Sequence, residues 1–373
     1  MEFGFNEDQD ALREAVRRFC EDKSPPSEVR RLMETEAGYD EAVWKQMGAE
    51  LGLQGLHIPE AFGGQGFSFV ELCIVLEEQG RALLCAPYFA SVALAANAIM
   101  NAGSDADRKE LLPGIASGET IATLAITESS GAWDATGISM EASGSHVLNG
   151  TKEVVVDGHN ADLIVVAARQ AGTTGTDGIS LYTVAGDASG LTRTPQKTLD
   201  WTRKLAKLEF SDVEAKPLGE PGKAWEALSL TLDQAAVCLA NETVGGTQFC
   251  FEAAVQYGKD RHQFGRAIGG YQAIKHRLAD LLLEVESAKS AAYYAAWAAA
   301  SKPDEFPIVA SLAKAYCSDA YFKMTAENIQ IHGGIGFTWE HDAHLYYKRA
   351  KSSELFLGDP SEHREKLASR IGM

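Results

Sequence analysis

The order of residue patterns predicts an α+β protein, mainly α: a helical stretch, a small β module, then a helical bundle. Three observations carry this reading. Apolar residues recur at helical spacing over 1–122, short β-branched runs alternate with Gly, Asn and Asp turns over 123–222, and long helical patterns return over 223–373. The chain has 373 residues, 45% hydrophobic and 23% charged, which is length enough for these three domains and a sizeable core.

Taken in order, Ala11, Leu12, Ala15, Val16 and Phe19 mark a first amphipathic helix, and Phe69, Leu72, Cys73, Val75 and Leu76 mark another. Between them lie the Pro25–Pro26 turn and a Gly-rich stretch ending at Gly66. Strands are predicted at Val154–Val156, Leu163–Ala167, Ile179–Val184 and Leu205–Phe210. Long helices follow, one beginning near Glu226 and others over 270–300 and 307–330, before a Gly-rich break at His332–Gly336. The apolar run Ala291–Ala300 is far short of the roughly 20 residues that cross a bilayer and reads as a buried helix, so no membrane association is expected. No internal repeat of fixed period is visible.

Lys+Arg number 34 against Asp+Glu 52, a net charge of −18, which argues against a nucleic-acid partner. The acidic first residues lack the basic and apolar regions of a secretory signal, and six scattered cysteines without a C-x-x-C pair read as reduced packing residues. A cytoplasmic protein is expected. The Gly clusters do not form G-x-G-x-x-G between strand and helix, and neither a P-loop nor a G-x-S-x-G elbow is present. His341 and His344, with His332 near in sequence, lack a third fixed ligand and read as solvated, so no metal is expected. Composition and spacing thus establish a helical protein with a β insert, without a reaction.

The order of longer segments says more. Trp44 with Leu51-Gly-Leu-Gln-Gly-Leu-His-Ile-Pro-Glu-Ala-Phe-Gly-Gly-Gln-Gly66, Glu77-Glu78, Leu112-Pro-Gly-Ile-Ala-Ser-Gly118 and Ala125-Ile-Thr-Glu128 resemble the acyl-CoA dehydrogenase family. So do Leu148-Asn-Gly-Thr-Lys152, Asp260-Arg-His-Gln-Phe-Gly265, Tyr271-Gln272 with Leu278-Ala-Asp280, and Gln330-Ile-His-Gly-Gly-Ile-Gly336. The resemblance spans essentially the whole chain in order. It implies the acyl-CoA dehydrogenase fold: an N-terminal helical domain, a middle β domain and a C-terminal four-helix bundle, assembled as a tetramer of two dimers. It also implies FAD as cofactor and an acyl-CoA thioester as substrate. In that chemistry a carboxylate removes the α-proton while the β-carbon gives hydride to the flavin.

Compared with the family pattern, both usual positions of the base are empty. The segment Glu354-Leu-Phe-Leu-Gly-Asp359 places Leu357 where the family has its catalytic Glu. The other position, on the first long helix of the C-terminal domain, is Ala235, and the Arg that normally follows is Ala236. Asp359, Glu354 and Asp233 are the nearby carboxylates, with Asp359 the substitute candidate because it shares the loop.

The flavin motifs divide in two. The turn that holds the flavin ring in the family reads Thr127-Glu-Ser-Ser-Gly-Ala-Trp-Asp134 here, with Ser129 in place of Pro and Ala132-Trp133 in place of Gly-Ser. The Trp-Ile-Thr strand of the family reads Val154-Val-Val156, which keeps strand propensity and removes polar contacts. FAD bound differently, through backbone N–H groups, remains an alternative. The half that the family donates to a neighbour's FAD looks retained: Arg261, Phe264 and Gly265, Gln272, Gln330, Ile331, Gly333 and Gly334.

This pattern resembles the non-catalytic β-type subunit of an α2β2 acyl-CoA dehydrogenase, such as those acting on steroid side-chain CoA thioesters. The expected partner is a homologous catalytic subunit, with electron-transfer flavoprotein as acceptor. Two other readings stand beside it: a self-sufficient homotetramer using Asp359 as a relocated base, and a non-enzymatic CoA-thioester-binding or assembly protein of the same fold.

Overall fold

A computed structural model describes residues 4–301 and 304–373. The chain divides into two compact units. One comprises Met1–Arg30, Phe69–Leu84 and Ala236–Met373; the other comprises Arg31–Ser68 and Cys85–Ala235. The helices, in chain order, are α1 (Glu7–Lys23), α2 (Pro26–Met33), α3 (Glu41–Ala49), α4 (Phe69–Arg81), α5 (Asn97–Ala102) and α6 (Asp105–Ser117). After the β region come α7 (Trp225–Asp260), α8 (Gln272–Ser301), α9 (Phe306–His332), α10 (Ala343–Leu355) and α11 (Pro360–Arg370).

In the first unit α1 opens on a capping box: the Asn6 side chain accepts from Gln9 N at 2.8 Å while Asn6 N donates to the Gln9 amide oxygen. The predicted Pro25–Pro26 break is where α2 starts, with Pro26 at its first position, where its missing N–H costs no helical bond. Helix α4 buries Glu77 and Glu78, and both are paired from α1. Arg13 reaches Glu77 at 2.8 Å and Arg17 reaches Glu78 at 2.8 Å, while the Tyr293 hydroxyl donates to Glu77 at 2.9 Å. Burial pushes the Glu77 carboxyl up, against the opposing pull of Arg13 and Tyr293. Helices α4 and α7 cross at backbone distance. A Cβ on Gly80 would stand 2.0 Å from Glu242 O, and one on Gly245 1.8 Å from Glu77 O. Only glycine permits that approach.

In the second unit, α3 is capped by Asp40 and α6 by a Ser104–Asp107 capping box. A fully buried segment, Phe89–Ala96, is wound as a π-helix and leads straight into α5. The Gly-rich stretch forms the expected turn, with Gly63 and Gly66 at φ 85 and 70. The sheet contains β1 (Ala122–Ala125), β2 (Glu141–Ala142), β3 (Val147–Val156), β4 (Leu163–Gln170), β5 (Ile179–Ala185), β6 (Leu191–Gln196), β7 (Leu205–Glu214) and β8 (Lys216–Leu218). Its order is β6-β7-β3-β2-β4-β5-β8, with β1 parallel to β4. Leu148, Val155, Ile164, Val166, Tyr182, Leu208 and Phe210 form its core. Two further strands, β9 (His262–Gln263) and β10 (Arg266–Ala267), make a hairpin in the first unit.

The four predicted β runs fall inside β3, β4, β5 and β7, and all six cysteines are buried free thiols. Among the described residues no helix is long and apolar enough to cross a membrane.

Candidate functional site

Three regions carry the candidate residues. The first is the turn at 356–359, between α10 and α11. Leu357 is 3% exposed and has φ 65, a left-handed conformation that costs a branched side chain about 1–2 kcal/mol. Its carbonyl lies 3.0 Å from His363 Nε2. Burial, with the nearby Lys314 and Lys366 ammonium groups, holds His363 down at about 3, so the ring is neutral and Nε2–H donates. From α9 comes Lys314, fully buried, whose Nζ donates to Gly358 O at 3.0 Å, Glu354 O at 3.1 Å, Ser353 O at 3.2 Å and Ser318 Oγ at 3.0 Å. Burial pushes this ammonium down to about 7, against Glu354, Cys317 and Asp359, which favour its charge.

The nearby carboxylates are occupied. Asp359 is the N-cap of α11: one oxygen accepts from Ser361 N at 2.7 Å and Glu362 N at 2.9 Å. Glu354 takes the Lys351 ammonium at 2.9 Å. Asp233 is buried on α7, and so are Ala235 and Ala236 beside it. Sequence spacing suggested Asp359 by proximity alone; the Asp-Pro-Ser-Glu order at 359–362 is the capping-box signal that explains its geometry.

The second region is the turn 127–139 of the β-containing unit. Glu128 accepts from Lys152 Nζ at 2.7 Å and from Met140 N at 2.9 Å, as well as from the Ser139 hydroxyl and N–H. Lys152 is fully buried and also donates to Ile126 O at 3.0 Å. Burial pushes Lys152 down to about 8. Burial opposes Glu128 ionisation too, but the Lys152 charge and the hydrogen bonds outweigh it and hold that carboxyl below its ordinary value. The Thr127 hydroxyl donates to Glu153 O, and Asp134 caps the following turn by accepting from Thr136 N at 2.8 Å. Buried Arg169 adds bonds to Ala135 O at 2.8 Å and Gly175 O at 3.0 Å. Glu128 and Lys152 lie in separate sequence motifs, and no local pattern signals that they form one ion pair.

The strand beside this turn departs from the regular strand expected of three valines. Pairing of β3 with β7 shifts between Lys152 and Val155, and Val154 has φ 57. A β-branched residue with positive φ is a genuine outlier, and the bulge re-aims the strand. A cleft of about 820 Å³ opens along this region, lined by Glu128, Ser129, Ser139, Met140, Thr151 and Lys207 among others. Trp133 is half-buried.

The third region is one end of the helical unit. Tyr257, in the last turn of α7, packs its ring 4.2 Å from that of His332, which closes α9. Arg261 follows one turn on, its N–H bonded to Tyr257 O. The structure thereby brings Arg261 to the end where Gly333 and Gly334 lie. Phe264 stands at the tip of the β9–β10 hairpin, 94% exposed, with φ 51, beside Gly265 at φ 81. Gln272 starts α8 and Gln330 lies in the last turn of α9, both exposed; Ile331 is buried. Gly333 has φ 64, and a Cβ on Gly333 or Gly334 would meet nothing within 4 Å. Among the described residues the Arg261 guanidinium forms no ion pair and the Gln272 and Gln330 amides have no internal partner. Exposed donors, a free cation and open backbone suit the pyrophosphate of FAD. The ring nitrogens nearby are turned to backbone: His332 Nδ1 to Asn328 O at 2.8 Å and His344 Nε2 to Trp339 O at 3.2 Å. Among the described residues no three His, Cys, Asp or Glu side chains gather in a metal-binding group.

Family models for the acyl-CoA dehydrogenase N-terminal, middle and C-terminal domains match residues 6–119, 123–213 and 222–372. Acyl-CoA dehydrogenase IpdE2 of Mycolicibacterium smegmatis is 34% identical over 366 residues, 98% of this chain and 99% of its own. Among solved structures, a chain of the Tcur3481–Tcur3483 steroid ACAD superposes with TM-score 0.88 at 30% identity, covering 98% of both chains. A chain of the ChsE4–ChsE5 complex from Mycobacterium tuberculosis superposes with TM-score 0.89 at 25% identity, covering 100% of this chain and 99% of that one. Matched along nearly its whole length in sequence and in fold, the chain belongs to the acyl-CoA dehydrogenase family of FAD-dependent oxidoreductases.

Proposed function

We propose that this chain is the non-catalytic subunit of an α2β2 acyl-CoA dehydrogenase, completing an FAD site held mainly by a homologous catalytic subunit. FAD bound there would supply the acceptor for the hydride from the β-carbon of the thioester. This chain's part is to offer the Arg261 guanidinium to the pyrophosphate, with Gln272, Gln330 and the open Gly333–Gly334 backbone around it. The partner supplies the carboxylate that takes the α-proton. The observation that carries the reading is the buried Leu357 at the family's base position, with each neighbouring loop carboxylate committed to a cap or an ion pair. Apolar Leu357 accepts no proton, and loss of a positioned base typically costs about 100- to 10,000-fold in rate.

The two-protein complexes named above support a heteromeric assembly, and the steroid ACAD supports a bulky acyl-CoA substrate. Electron-transfer flavoprotein is the proposed acceptor and the cytoplasm the proposed location. Division of the chain at 1–122, 123–222 and 223–373 belongs to the same reading.

The test is co-expression with a homologous acyl-CoA dehydrogenase that carries the catalytic carboxylate, measuring FAD per chain and acyl-CoA oxidation. About one FAD per two chains, and turnover only in the complex, is the expected result. Full FAD occupancy and turnover by the isolated chain would overturn it and favour the homotetramer. No flavin and no partner under any condition would favour the assembly protein.

A further inference from the structure

Lysine is almost never fully buried unless it is paired with a charge. Lys314 is fully buried and, among the described residues, pairs with no carboxylate. Its four bonds instead go to Ser318 Oγ on its own helix, to Ser353 O and Glu354 O in the last turn of α10, and to Gly358 O in the turn beyond. The first two carbonyls sit at the negative end of the α10 dipole, which a cation stabilises. The third belongs to the residue after Leu357. His363 of α11 donates to the carbonyl of Leu357 itself. Two consecutive carbonyls are thus held by side chains of two other helices.

Between those fixed points Leu357 is left-handed, at φ 65, with its side chain buried. An L-residue resists that conformation, and an apolar side chain makes no hydrogen bond that would demand it. The constraint therefore comes from the surroundings. The charged groups around Lys314 are Glu354 of α10, Asp359 of the turn and Lys366 of α11, with the neutral His363 ring on the same helix. On its own helix Cys317 turns its thiol to Ala288 O of α8.

We propose that Lys314 is the positioning residue for position 357: its ammonium, together with the His363 ring, sets the backbone of the 356–359 turn and aims the 357 side chain inward whatever residue stands there. On the reading of position 357 as the family's base position, the chain keeps the apparatus that places the base while lacking the base. The geometric claim stands on the turn alone, so full FAD occupancy by the isolated chain would sink the proposed function and leave this claim untouched.

The experiment uses the full chain and two local readouts: amide exchange over 354–363 by mass spectrometry, and the Leu357 methyl resonances. In Lys314→Met, exchange over 356–362 should rise at least tenfold and the Leu357 methyls should shift, while protection in α8 stays as it was. In Lys314→Ala, added n-propylammonium, which replaces the missing stem and charge, should restore both readouts. Leu357→Met should leave the turn protected. Unchanged exchange in Lys314→Met overturns the proposal. So do uniform loss of protection through the bundle, failure of the Met variant to fold, absence of rescue by the amine, or release of the turn by Leu357→Met.

Discussion

The turn at 127–139 and the end of the helical unit bearing Arg261 both carry residues that resemblance assigns to a flavin site, and they treat polar groups in opposite ways. At the first, the Thr127 hydroxyl, the Glu128 carboxylate and the Asp134 side chain are all spent on the chain itself. At the second, among the described residues, the Arg261 guanidinium forms no ion pair and the Gln272 and Gln330 amides have no internal partner, while Phe264 is almost wholly exposed and Gly333–Gly334 leave open backbone. Internally satisfied groups offer a ligand little, because each new bond must replace one already made. Free, exposed donors lose only water. The difference teaches that the helical unit leaves exposed donors unspent, as the proposed anionic half-site requires, while the turn of the β-containing unit is a self-contained scaffold.

The contrast can be broken most severely at the scaffold. Lys152→Met leaves Glu128 charged and buried without its cation, and a chemical denaturation curve should show about 3–5 kcal/mol lost. A loss below about 1 kcal/mol would mean that the turn is not held by this pair. At the open end the same kind of change should act on the ligand and not on the fold. Arg261→Gln should shift the melting midpoint negligibly, yet weaken FAD retention by the reconstituted complex about 10- to 100-fold, the worth of one charge-assisted contact. Equal FAD retention would remove Arg261 from the site.

A third measurement sharpens the comparison through pH. Lys314 titrates near 7 in the fold against an ordinary 10.5, so between those values the unfolded chain binds more protons. Its contribution to stability should therefore rise with pH across that window, by up to about 1.4 kcal/mol per pH unit, and become independent of pH below 7, where both states carry the proton. Urea midpoints from pH 6 to 10 should show that slope in the parent chain and a flatter one in Lys314→Met. The smallest effect is expected at Asp359. Asp359→Ala should cost about 1 kcal/mol as a lost cap, and Asp359→Asn, which can still cap, only a few tenths. Neither should alter turnover of the complex; a collapse of kcat with Asp359→Asn would revive it as a relocated base.

The helical zones and the strands of the β module were legible because period and propensity are local. Val16 and Cys20 lie one turn apart on the buried side of α1, and the valine-rich and aromatic runs all became strands. The bulge at Val154 was not legible: three successive valines spell a regular strand, and the register shift appears only when β3 meets β7. The π-wound Phe89–Ala96 segment escaped for the same reason, since a fully apolar stretch carries no periodic signal to distinguish one helix type from another. At the candidate site the residue types of the proposed cofactor half, Arg261 to Gly334, are visible in the sequence. Whether a carboxylate there is a base or a cap could not, because that depends on where its oxygens find N–H groups.

The sequence by itself determined the order of the zones, the absence of a proton acceptor at positions 357 and 235, and the presence of a cation and two amides at Arg261, Gln272 and Gln330. Those are properties of residue chemistry and chain order. Only the tertiary structure decided which polar groups are spent and which are free. Glu242 meets Arg349, Lys314 meets Gly358 and Glu128 meets Lys152 across intervals of 107, 44 and 24 residues. No local pattern encodes such pairings: each exists because burial makes an unpartnered charge too costly to leave, and folding brings its partner from elsewhere in the chain.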